Sequence, residues 1–189
     1  MNRGYFQKFQ IKDVVFLAIM SAVALATCAV MPLVISLQPL IFGISQLVTA
    51  LQIGVFFAIG LYKVRKPGSL LIMALMMGLI QLMMSPPMFL SSVLNGVLIE
   101  LIVLLLFRGY EKDGAVFCAA MLHTPLSLPF NYLYNRLVKG ADSPLAAVAD
   151  RAPLAAVGMT LAVVAVSALG ALIGIKIARE LKKSGVLKK

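Results

Sequence analysis

Two ionisable side chains stand inside long apolar runs: Glu100 in FLSSVLNGVLIELIVLLLF and His123 in AVFCAAMLHTPLSLPFNYLY. Placing a charged group such as Asp, Lys or Arg at the centre of a bilayer costs about 2.5–3.5 kcal/mol on the insertion scale, so such groups are functional candidates by default. A buried Glu–His pair that only ties two helices together is the plainer alternative.

Spacing joins other polar residues to these two. Ser92, Gly96 and Glu100 recur every fourth residue, which puts them on one helix face, with Asn95 beside it. His123, Ser127, Asn131 and Asn135 make a second stripe running from mid-membrane depth outward. Two such stripes on neighbouring helices describe a polar cavity open to the outside, and Gln46, Gln52 and Gln81 could add hydrogen bonds to it. The chemistry available is recognition of a small polar molecule. Acid–base catalysis by Glu100 and His123 is a second reading, and it requires the two side chains to come within hydrogen-bond reach.

Other chemistries lack their motifs. There is no GxxxxGK[ST] for ATP hydrolysis, no GxSxG, no HExxH and no paired-aspartate cluster. Cys28 and Cys118 lie inside apolar runs without a CxxC or a Cys/His cluster, so neither a disulfide framework nor a metal site is expected. No catalytic residue is assigned.

The elements that must position these residues follow from composition. Of the 189 residues, 61% are hydrophobic and 13% charged. A soluble domain is about 45–50% apolar and about 25% charged. This chain therefore reads as an all-α integral membrane protein, with a single domain over residues 1–189. Six apolar stretches approach the length of about 20 residues that a spanning helix needs. They are Val14–Val34, Ile44–Tyr62, Ser69–Met84, Phe89–Phe107, Ala115–Tyr134 and Leu154–Ile175. The third is short and borrows its flanks or thins the bilayer. The apolar stretch after the basic N-terminus is too long for a signal sequence and reads as a retained first span. Pro32, Pro39, Pro67, Pro86, Pro87, Pro144 and Pro153 fall at or near joints, whereas Pro125 and Pro129 fall inside span five and predict a kink or an unwound turn.

The net charge of +10 does not indicate nucleic acid, because the charges sit in clusters between apolar runs. All of the 17 lysines and arginines except Arg136, Lys139 and Arg151 fall in the N-terminal segment, the second and fourth joints and the tail. The positive-inside rule then places both termini in the cytoplasm of a multi-pass cell-membrane protein. The long outer loop, about residues 135–153, contains an LAAVA piece suited to a short interfacial helix. Small residues form two strips: Ala18, Ala22 and Ala26 on span one, and Gly170, Gly174 and Ala178 on span six. Either strip allows another helix backbone to approach closely.

Six short spans, cytoplasmic termini, the Ala18–Ala22 strip, the RKPG entry to span three and the Gly96–Glu100 pattern in span four together resemble the S components of energy-coupling factor (ECF) vitamin transporters. VRKPGSLLIMALMMGLIQ and SPPMFLSSVLNGVLIELIVLLLFR are similar to the hydroxymethylpyrimidine/thiamine-type members. The resemblance implies a high-affinity, non-enzymatic binding subunit that captures a vitamin or vitamin precursor from outside. It implies docking through Ala18 and Ala22, extended by Ala26, on a transmembrane coupling protein driven by two ATPases. ATP is then hydrolysed by the partners, and this chain holds no cofactor. The binding role passes most directly to Glu100. With it go the residues that spacing selects: Ser92, Asn95, Gly96, His123, Ser127, Asn131 and Gln81. A thiamine- or hydroxymethylpyrimidine-like ring is the first expectation and a porphyrin-like compound the second. With no tryptophan in the chain, Tyr132, Tyr134 or a phenylalanine would have to stack on such a ring.

Overall fold

The computed structural model describes residues 8–28, 30, 33, 34, 36–140 and 143–187. Arg3, Pro32, Lys188 and Lys189 lie outside the described residues. Within them the chain is all-helical, with seven helices: α1 (Ile11–Thr27), α2 (Ile44–Lys63), α3 (Ser69–Leu82), α4 (Pro86–Phe107), α5 (Asp113–Val138), α6 (Pro144–Arg151) and α7 (Pro153–Lys183). By length and composition α2, α4 and α7 can each cross a membrane, and α3 is a shorter apolar helix. The 14 residues of α3 extend about 21 Å at 1.5 Å per residue, less than a hydrocarbon core of about 30 Å.

Helix ends differ from the hydropathy reading where caps decide them. Pro86 and Pro87, beside the joint between α3 and α4, open α4 as its first residues, where their missing N–H groups have no intrahelical partner to lose. α7 runs two turns past Ile175, carrying Lys176, Arg179, Lys182 and Lys183 on a continuous helix. α1 ends at Thr27, whose hydroxyl donates back to the Ala24 carbonyl (2.8 Å). The outer loop does hold a short helix, α6, capped by the Ser143 hydroxyl.

α5 stays helical through Pro125 and Pro129, so no turn is unwound. Pro125 has no N–H to offer the Met121 carbonyl four residues back. The Ser167 hydroxyl of α7 donates to that carbonyl instead (2.7 Å). A neighbouring helix thus supplies the bond the proline removed.

α2 is the central helix and packs on α1, α3, α5 and α7, while α4 closes the bundle between α3 and α5. The small strip of α7 is buried against α2. A Cβ on Gly170 would meet the Leu51 carbonyl oxygen at 2.5 Å, and one on Gly174 would strike the Val55 backbone. The strip of α1 has the opposite fate. Leu17, Ser21 and Ala24 face the core, while Ala22 and Ala26 are exposed and Ala18 half-buried. Many other leucines face outward, including Leu105 (82% exposed) and Leu154 (88%).

Ion pairs gather one end of the bundle. Lys66 after α2 pairs with Asp13 at the start of α1 (2.6 Å). Asp113 at the start of α5 pairs with Arg65 and with Arg179 near the end of α7 (2.6 Å to Arg179). The long helices therefore alternate in direction, and the basic segments meet at the same end. Partial burial opposes ionisation of Asp113, but the Arg179 and Arg65 guanidiniums outweigh it and hold the carboxyl below its ordinary 3.8. Its contribution is fully present above 3.8 and is lost as pH falls through the lower folded value. The unfolding midpoint in detergent is expected to be flat down to about pH 5 and to drop below about pH 4. Asp113→Asn should flatten part of that acid limb, and only modestly, since the pair is partly exposed. An identical acid profile in the variant would show that these pairs add nothing.

Candidate binding site

α2 and α4 do not pack closely, and a cavity of about 360 Å³ lies between them, with α3 and α5 as its other walls. It occupies the half of the bundle remote from Arg65, Asp113 and Arg179. The start of α2 contributes Gln46 and Thr49, the end of α3 Gln81, the start of α4 Ser92 and Asn95, and the second half of α5 His123, Thr124, Ser127, Asn131 and Asn135. Tyr134 and Lys139 stand toward α6, with Pro144 and Leu145. Neither α1 nor α7 contributes a described lining residue. The volume is near the low end of the range for small-molecule sites, about 300–1,000 Å³.

The polar stripe of α5 thus faces the cavity over its length. Ser127 and Asn135 are partly used locally. The Ser127 hydroxyl donates to the Thr124 carbonyl (2.6 Å) and Asn135 Nδ2 to the Asn131 carbonyl (2.8 Å). Ser92 donates to the Ala74 carbonyl (3.0 Å), which ties α4 to α3. Three other lining residues carry unmatched groups. Asn95 Nδ2, His123 Nε2 and Thr124 Oγ1 are buried with no hydrogen-bond partner among the described residues. Each such orphan costs about 1–3 kcal/mol, which a visiting molecule could offset by bonding to it. The His123 ring rests on Phe57, with ring centres 4.5 Å apart.

Glu100 and Gly96 do not line this cavity. Glu100 lies further along α4, where its Oε1 accepts from the Gly68 N–H (2.6 Å) and its Oε2 from the Tyr110 hydroxyl (3.0 Å). Gly68 is the N-cap of α3, in a left-handed conformation (φ 91°) that favours glycine. The Leu70 and Leu71 N–H groups also turn toward the carboxylate. Glu100 therefore caps the N-terminus of α3 from a neighbouring helix, where the unpaired N–H groups and helix dipole favour an anion. The RKPG turn and the acid in α4 are two halves of one joint. Gly96 has a packing role: a Cβ there would meet the Ala74 Cβ at 2.5 Å, so the missing side chain lets α4 close on α3.

The acid–base pair needed for catalysis is not formed, since both Glu100 oxygens are engaged elsewhere and His123 has no bond to it. Of the two aromatic candidates, Tyr134 lines the cavity, whereas Tyr132 is clamped by Asp150 and Arg136 (2.7 and 2.6 Å). Gln52 lies outside the lining, with its Oε1 buried and unpartnered. Ser45, Thr49 and Thr124 were the residues spacing could have added. Ser45 and Thr49 stand four apart on α2, and Thr124 adjoins His123 just before a proline.

A search of curated proteins finds no match to this chain's sequence. A solved structure described as "Crystal structure of an S-component of ECF transporter" shares its fold, with a TM-score of 0.64 at 22% identity, over 95% of this chain and 89% of that one. A family model described as "Hypothetical bacterial integral membrane protein (Trep_Strep)" matches residues 11–183. That match takes in every helix that walls the cavity, and it accords with the outward-facing leucines: the chain belongs to the Trep_Strep family of bacterial integral membrane proteins.

Proposed function

We propose that this chain is the substrate-binding subunit of an ECF-type importer in the cell membrane. It captures a vitamin or vitamin precursor from outside and passes it to a transmembrane coupling protein driven by two ATPases. The observation that carries this reading is the polar cavity within the bundle, with its unpaired Asn95, His123 and Thr124 groups. In this reading α1, α3 and α5 span the membrane along with α2, α4 and α7, and both termini are cytoplasmic. The basic end is the cytoplasmic one, so the cavity faces out. The S-component fold supports it. So does the separation of surfaces: the ligand site uses α2 to α5, leaving the strip of α1, with Ala22 and Ala26 exposed and Ala18 half-buried, free for a partner helix. ATP hydrolysis belongs to the partners, and this chain performs no catalysis. The cavity's size favours one or two rings, as in hydroxymethylpyrimidine, over a porphyrin-like macrocycle.

Reconstitution with a coupling protein and its ATPases tests the reading. Ala22→Trp fills the exposed strip without touching the cavity. Ligand binding is expected to stay within about twofold of the parent, while ATP-dependent uptake falls to background. Undiminished uptake by both Ala18→Trp and Ala22→Trp would remove α1 as the docking surface.

A further inference from the structure

We infer that the cavity takes an uncharged, acceptor-bearing ring compound and discriminates against cations. This rests on the binding reading above and narrows it. None of the described lining residues is a carboxylate. Glu100, the acid that could have balanced a cation at this depth, spends both oxygens on Gly68 and Tyr110. Asp13, Asp113 and Glu180 are paired with Lys66, Arg65, Arg179 and Lys183, at the other end of the bundle. Asp150 is paired with Arg136, and Asp142 lies outside the described residues. Among the described lining residues the one formally charged side chain is Lys139, which is exposed and positive. A cation entering here would exchange water for amides and hydroxyls with a like charge nearby, and no described lining side chain supplies a countercharge.

The walls also show what the ligand's edge must offer. The Ser45 hydroxyl donates to Gln46 Oε1 (2.8 Å), which leaves the Gln46 NH₂ to give. Asn95 Nδ2 is a second donor without an acceptor. Ring nitrogens or carbonyl oxygens would satisfy both. Thr124 Oγ1 can donate or accept, so a ligand donor can also be met.

Two probes that share one ring separate charge from shape. Hydroxymethylpyrimidine is neutral near neutral pH, and thiamine joins the same pyrimidine to a permanently charged thiazolium. The full chain in detergent is titrated with each by calorimetry, and the compound released by denaturing a separate sample is identified by mass spectrometry. The neutral probe is expected to bind at least about tenfold more tightly than thiamine. Gln81→Glu places a carboxylate on the partly exposed cavity wall at constant shape, and the variant is checked by its elution profile. It should narrow that ratio. Tighter binding of thiamine by the parent, or a ratio unmoved by Gln81→Glu, overturns the inference. If neither probe binds, the released compound decides: a neutral one upholds the inference and a cationic one overturns it. Release of no compound, with neither probe bound, overturns the binding reading beneath it.

Discussion

Replacing Glu100 by alanine is expected to destabilise the folded chain by about 3 kcal/mol, because it strips a buried carboxylate from the end of α3 and leaves the Gly68 N–H and the Tyr110 hydroxyl unpaired. Thermal unfolding in detergent would show this as a lowered midpoint. Glu100→Gln keeps one acceptor but turns an NH₂ toward one of its two donors, so it should lose about half as much. Tyr110→Phe removes a single bond to a charged group and should cost about 1.5–3 kcal/mol. In the fraction that remains folded, ligand stoichiometry and affinity should be unchanged, since the carboxylate does not line the cavity. The contrary pattern, lost affinity with an unmoved midpoint for Glu100→Gln, would return this acid to the ligand.

The second large effect is steric. Gly170→Val forces a branched side chain onto the Leu51 backbone, whose carbonyl oxygen and Cα lie 2.5 and 3.1 Å from the nearest atom added. Helix backbone cannot give way as a side-chain tip can, and α2 is packed on both sides. A loss of about 3 kcal/mol or more is expected, or failure to accumulate folded protein. Gly158→Ala is the matched control on the same helix. Nothing lies within 4 Å of the added Cβ, so the substitution should raise stability by up to about 1 kcal/mol through helix propensity alone. Equal behaviour of the two variants would mean that α7 does not seat on α2 as described.

Much of the candidate cavity's lining was legible from periodicity. On α5, polar residues recurring every four positions between apolar ones had one economical placement, facing away from lipid, and His123, Ser127, Asn131 and Asn135 all line the cavity. Ser92, Asn95 and Gln81 line it too. The α4 stripe was read one step too far. Glu100 stands eight residues beyond Ser92, about 12 Å along the axis, and the face rotates as it goes. At that depth the nearest partner is not a cavity but the start of α3. The sequence contains both halves of that contact, Pro67-Gly68 and Glu100, with no local feature to say that they meet.

The apolar elements, their alternation and the charge bias were set by the sequence alone. A helix closes its own backbone hydrogen bonds and answers to lipid residue by residue, so length and hydropathy suffice to specify it. Which side of a helix meets which neighbour is a property of pairs, and only the tertiary structure decides it. Two strips with the same four-residue spacing of small side chains show the difference. Gly170, Gly174 and Ala178 are buried against α2, while Ala22 and Ala26 are left exposed on α1. Small side chains permit close approach but do not choose the partner; the shape of the opposing backbone does.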